Sequence, residues 1–199
     1  MKLRASAILV ASRAHGETAV IARLLTEEHG LVAAYVAGGR GRQLRPVLLP
    51  GNVVAAEIAA RSESQLPFAR LELLASRGPW LAEPLPAAAI VWITALTASA
   101  LPERHPYPSL YSALEALLEA VCHAPSARGW ASALVGYESL LLRELGYGGK
   151  VERPEGNTGD VLAAMDALAA PIGHYLLAGT RGNVMAARSR LRDLLERIQ

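Results

Sequence analysis

The sequence predicts an α+β protein, a small closed β-barrel at the N-terminus followed by an all-α helical domain. Three observations lead there. The first 78 residues hold five short β-rich apolar runs separated by polar or glycine-containing turns. Gly78-Pro79 and Pro84-Leu85-Pro86 mark a boundary, and beyond it apolar residues recur at helical spacing. Finally, 52% apolar and 19% charged residues over 199 positions suffice for two folded cores. The expected domains are 1–78 and 79–199.

Residues 5–13 (ASAILVASR) read as the first strand, with His15-Gly16-Glu17 as its turn. Residues 18–26 return as the second strand, and 31–36 follow as the third after Glu27-Glu28-His29-Gly30. Residues 51–61 and 68–76 supply the fourth and fifth, linked by 62–67. Closing such strands into a barrel removes exposed sheet edges. The third-to-fourth connection is the longest, with room for a short helix or an extended loop, as OB-folds often have. It reads AGGRGRQLRPVLLPG over residues 37–51, three arginines among glycines. Glycine permits close backbone approach, and the arginine fork suits phosphate. Arg40, Arg42 and Arg45 are therefore candidate contacts to the phosphates of a polyanion, with Arg13 and Arg4 behind them. A solvated turn would look the same.

In the second part, residues 87–100 form one expected helix, stopped by Pro102. Ser109 is the expected N-cap of the next, through about His123, with Leu110, Leu114, Leu117, Leu118 and Val121 on one face. A longer helix runs from Ser126 to about Leu145, carrying Trp130, Leu134, Tyr137 and Leu141 on a shared face. Residues 158–169 and 171–178 read as shorter helices. Residues 184–198 close the chain with Val184, Ala187, Leu191, Leu194 and Ile198 inward and Arg188, Arg192, Asp193, Glu196 and Arg197 outward.

The net charge is only +2, but its distribution is informative. Residues 1–78 carry ten Lys/Arg against six Asp/Glu, while 79–199 carry ten against twelve, so the basic excess lies with the arginine loop. The only lysines are Lys2 and Lys150, which excludes a P-loop. No H-x-x-x-H pair occurs, and the single Cys122 excludes a disulfide framework and a cysteine zinc cage. The reading is a non-enzyme without catalytic residues, cofactor or metal, in a reducing cytoplasm. Residues 84–102 are uncharged, but rich in Ala, Thr, Ser and Pro, so a buried helix is expected there and not a membrane span. Only Tyr35 and Phe68 are aromatic in the first 78 residues, which leaves little material for serial base stacking. On that reading, single and double strands are bound within a modest factor of each other.

Residues 7–78 resemble the N-terminal domain of the RecO family of bacterial DNA-repair proteins. The matching stretches are AILVASRAHGETAVIARLLTEEHG, AGGRGRQLRPVLLPGN and EIAARSESQL. Arg13, Gly16, Glu17, Gly30, Gly38 and Leu44 fall where that family's pattern expects them. The helical half is similar through Tyr137-Glu138, residues 142–148 (LRELGYG) and Arg188-x-Arg190-Leu191. Many RecO-like proteins carry a cysteine cluster, a small zinc module, directly after that G-[FY]-G. Here Gly146-Tyr147-Gly148 leads into a segment without cysteine, so the module is read as lost or shortened.

The resemblance implies an OB-fold and a recombination mediator acting in DNA repair and homologous recombination. Such proteins bind single- and double-stranded DNA and anneal strands. They work with RecR, recognise the acidic C-terminal tail of single-strand-binding protein (SSB), and help RecA load; the implied location is the cytoplasm, at the nucleoid. The competing class is a protein-interaction scaffold with no direct DNA role. A tail site would need an apolar groove with cations at its edge. Trp130, Leu134, Tyr137 and Leu141 with Arg128 and Arg143 supply those groups; alternatively the four are core and the arginines pair with Glu138 or Glu144.

Overall fold

The apolar run near the N-terminus folds as one long strand, β1 (Lys2–His15), which bends enough to serve two partners. The computed structural model that shows this describes residues 2–60, 65–148, 154, 157–179 and 183–197. The first half of β1 pairs antiparallel with β4 (Val53–Ala59), from Lys2↔Ala59 to Ile8↔Val53. Its second half pairs with β2 (Ala19–Thr26) out to His15↔Ala19, across a bulge between Leu9 and Ala11. A bulge increases local twist and bends the strand, which a closing sheet requires. β3 (Gly30–Val36) continues from β2, and β5 (Phe68–Ala75) pairs antiparallel with β4. One parallel pair, Tyr35↔Phe68, joins β3 to β5. The order β1-β2-β3-β5-β4 closes as a barrel, the five-stranded connectivity of the OB-fold.

Alternation decides the barrel's interior. Leu9, Leu24, Val32, Ala34, Val54 and Ile58 point inward with their alternate neighbours into one apolar cluster. The interior is aliphatic throughout, so Tyr35 and Phe68 lie outside that cluster.

The chain divides into one unit of Met1–Ala82 with Leu101–Tyr111, and another of Glu83–Ala100 with Ser112–Gln199. Residues 101–111 thus group with the barrel. Leu31 bridges Glu103, and the Arg104 amide donates to the Leu31 carbonyl at 2.8 Å. Gly30 is required twice over at this contact. Its φ is +66°, and a Cβ there would lie 2.1 Å from the His105 carbonyl oxygen.

The second unit is built on α1 (Pro84–Ala100), α2 (Pro108–His123), α3 (Ala131–Glu144), α4 (Thr158–Pro171) and α5 (Val184–Glu196), the first turn of α2 counting with the barrel unit. Packing pairs α1 with α5, α3 with α4, and α4 with α5. Among the described residues no helix is long and apolar enough to cross a membrane; α1 buries Ile90, Trp92, Ile93 and Leu96. Three boundaries differ from expectation. Ser109 is not an N-cap: Pro108 opens α2, and the Tyr111 amide donates to the Tyr107 carbonyl at 3.0 Å. The helix expected from Ser126 is interrupted by a 3₁₀ turn at Ala127–Gly129 and starts anew at Ala131. After α4, Pro171 leads directly into a π-helical turn, Ile172–Leu176. Asn157 and Asp160 cap the start of α4 reciprocally.

Arg188 corrects the reading of the last helix. Expected outward, it is buried beside Glu138, which is fully buried on α3. Its Nε and Nη2 donate to the two Glu138 carboxylate oxygens at 2.9 and 2.7 Å, and Nη2 also donates to the Met165 carbonyl at 2.7 Å. Trp92 Nε1 completes the set, donating to Glu138 Oε1 at 2.7 Å. The buried stripe of α5 is therefore Arg188, Leu191 and Leu195, with Val184, Ala187 and Leu194 only partly covered. Burial pushes the neighbouring Tyr137 hydroxyl well above its ordinary range, and it shares a 2.6 Å hydrogen bond with Thr97. At the surface, paired hydrogen bonds from Arg192 hold the Asp166 carboxyl below its usual range.

Candidate nucleic-acid interface

The arginine loop is two-sided because its apolar and basic residues separate on folding. Residues 37–51 form successive turns, with amide-to-carbonyl bonds Gly41 to Gly38, Arg45 to Gly41 and Leu48 to Leu44 at 2.8 to 3.0 Å. Leu44, Val47 and Leu48 pack against the barrel's apolar cluster. Gly39 lies so close to β2 that a Cβ would meet Val20 at 2.8 Å. With the leucines turned in, Arg40, Arg42 and Arg45 are exposed.

The three arginines do different things. Arg40 Nη1 donates to the Gly16 and Glu17 carbonyls at 3.2 and 3.0 Å, and its amide donates to the Thr18 carbonyl. It therefore ties the loop to the β1–β2 turn. Arg45 makes one long contact, Nη2 to the Arg40 carbonyl at 3.4 Å. Arg42 has no hydrogen-bond or carboxylate partner among the described residues, so its whole fork faces water. Below the loop, buried Asn52 donates to the Pro46 and Val47 carbonyls at 2.9 and 3.0 Å and accepts the Arg77 amide at 2.7 Å. Sequence reasoning took Asn52 only as the start of a strand.

Strand register brings a second set of groups alongside. Arg13↔Ile21, Ile21↔Tyr35 and Tyr35↔Phe68 are successive cross-strand pairs, so these four residues form one row over β1, β2, β3 and β5. Tyr35 meets His15 edge-on at 5.9 Å and Phe68 edge-on at 5.1 Å between ring centroids. Phe68 is 62% exposed. Arg13 is exposed at the β1 end of the row, near the turn to which Arg40 is tied. Arg4 lies apart from the loop. It pairs with Glu57 at 2.6 Å and lines a shallow depression of about 480 Å³ with Lys2, Arg70 and Phe68. An exposed pair of this kind contributes at most about 1 kcal/mol, and its carboxylate lessens the attraction for an anion.

The four apolar residues expected to line a partner groove are interior. Trp130, Leu134, Tyr137 and Leu141 are at most 2% exposed and belong to the core of the second unit. Arg128 and Arg143 are exposed, and Glu138 pairs with Arg188 instead of either. Arg128 edges a pocket of about 300 Å³ with Ala127, Ala131, Val161 and Leu195 as its apolar lining. Among the described residues no three His, Cys, Asp or Glu side chains are grouped to hold a metal. Of the segment 146–160, read as the site of a lost or shortened zinc module, residues 149–153, 155 and 156 lie outside the described residues.

Two family models match this chain in order. One is described as Recombination protein O N terminal, over residues 1–77, and the other as Recombination protein O C terminal, over residues 84–153. A DNA repair protein RecO of Phenylobacterium zucineum is 42% identical over 150 residues, 74% of this chain and 60% of the relative. One from Rhodospirillum centenum is 46% identical over 143 residues, 71% of this chain and 56% of the relative. A third, from Ruegeria, is 40% identical over 149 residues, covering 74% and 61%. The chain thus spans less than two thirds of the length of these relatives.

Proposed function

Because the chain belongs to the RecO family, we propose that it is a non-enzymatic recombination mediator in DNA repair, holding DNA against the arginine face of its barrel. The observation that carries this is the division of labour in the loop. Its leucines anchor it to a rigid barrel while Arg42, unpaired among the described residues, and Arg45 face solvent. A preorganised basic rim of this kind suits a sugar–phosphate backbone on single or double strands. In this reading the protein works in the cytoplasm at the nucleoid, with RecR, on SSB-coated DNA, to help RecA load.

Arg40→Ala/Arg42→Ala/Arg45→Ala tests the reading in a salt titration of DNA binding. Each lost phosphate contact lowers the slope of log K against log salt by about 0.7 for single strands and about 0.9 for duplex. The triple variant is expected to lose about two units of slope on single strands. Arg42→Ala alone is expected to lose one contact's worth without disturbing the loop. Unchanged binding by the folded triple variant would exclude the assignment and leave the scaffold reading.

The SSB tail is acidic with an apolar end, and the Arg128 pocket has the matching chemistry on the helical unit. Anisotropy with a labelled tail peptide should show at least several-fold weaker binding to Arg128→Ala, since a charge-assisted hydrogen bond contributes about 1.5–3 kcal/mol. Binding equal to the parent would move the tail site off this pocket.

A further inference from the structure

We propose that Phe68 and Tyr35, edged by His15, form a stacking platform that takes unpaired nucleobases and gives the barrel a preference for single-stranded DNA. This rests on the reading that the barrel binds DNA, and it replaces the near-equal binding of single and double strands expected from the sequence with a preference for single strands. The sequence separates the two rings by a long stretch of chain and so hides them from each other. The one parallel contact between β3 and β5 brings them together, with the Tyr35 amide donating to the Pro67 carbonyl at 2.7 Å.

Several features point to bases over mere sheet stabilisation. These are the only two Phe, Tyr or Trp rings in the first 78 residues, they touch, and neither belongs to the aliphatic interior. Phe68, the chain's single phenylalanine, keeps 62% of its surface in water. A residue serving only to fill the barrel would be turned inward. The platform also lies between cationic groups. Arg13 ends the same cross-strand row, three strand spacings or about 14 Å from Phe68. On the other side, Phe68 shares a depression with Lys2, Arg4 and Arg70, three cations against the single carboxylate of Glu57. A strand following the row can place phosphates toward those cations while its bases lie on the rings. A duplex keeps its bases stacked inside and gains only the electrostatic part.

The test compares Phe68→Ala, Phe68→Leu and Phe68→Trp with the parent on an oligo-dT strand and on a duplex of equal length. Phe68 is exposed, so all three are expected to keep the parent melting temperature within a few degrees. Base stacking on an aromatic ring corresponds to roughly five- to hundredfold in affinity. Phe68→Ala and Phe68→Leu should lose about that much on oligo-dT, less than about twofold on duplex, and none of the salt slope. Phe68→Trp should retain binding and show fluorescence quenching by oligo-dT that the parent lacks. Unchanged single-strand affinity in Phe68→Ala, or an equal loss on both substrates, overturns the platform. In either case a parent whose binding still depends on Arg42 leaves the DNA-binding reading standing. A parent that binds neither substrate overturns both.

Discussion

Glu138→Gln should destabilise the protein by about 3–5 kcal/mol, the usual cost of removing one partner from a buried ion pair. Glu138 is fully buried and Arg188 nearly so, and among the described residues the Glu138 carboxylate is the one that hydrogen-bonds the guanidinium, Asp166 adding only a weaker attraction. A glutamine preserves size and can still accept from Trp92, but it leaves a cation in a site with little water. Arg188→Met should cost a similar amount by stranding the carboxylate. The double variant Glu138→Leu/Arg188→Met should recover much of the loss, because replacing a buried pair with apolar groups is often near neutral. Denaturant unfolding with a constant slope measures all three. Single variants within about 1 kcal/mol of the parent would mean that water reaches the pair.

Asn52→Ala is expected to cost about 2–4 kcal/mol, because the Asn52 side chain satisfies three backbone groups at once. The Pro46 and Val47 carbonyls would lose their donor and the Arg77 amide its acceptor. Two of the three lie in the arginine loop, so the effect should reach function. Loosened from the barrel, Arg42 and Arg45 would no longer be preorganised, and DNA affinity should fall even though no cation is removed. Asn52→Asp separates the terms: it keeps an acceptor for Arg77 but sets a carboxylate against two carbonyl oxygens. Equal DNA affinity in a destabilised Asn52→Ala would show that the loop's arginines act without a fixed frame. Thermal unfolding and a gel shift on the same preparation distinguish these results.

Much of this architecture was legible because it is encoded locally. Apolar runs along 18–26 and 31–36, bounded by turns at Gly16 and Gly30, specified strands that pair as neighbours in sequence. Helical spacing likewise placed Leu110, Leu114, Leu117, Leu118 and Val121 on the buried side of α2. The glycine and arginine content of 37–51 singled out the exposed loop, since three arginines without buried carboxylates must stay in water. Family membership was legible from the same stretches.

Only the tertiary structure decided the rest, for a common physical reason. Periodicity says which residues of one element point together, but not which element they meet. Arg188 looked like part of a solvated face until α5 was packed against the helix carrying Glu138, a carboxylate that only a buried cation can compensate. Trp130, Leu134, Tyr137 and Leu141 read either as core or as the lining of a groove, and burial assigns them to the core. Residues 101–111 follow a helix in sequence yet belong with the barrel, through backbone bonds to Leu31 that carry no side-chain signature. Tyr35 and Phe68 are far apart in sequence and adjacent on the sheet, because barrel closure joins β3 to β5, strands whose meeting no local pattern records.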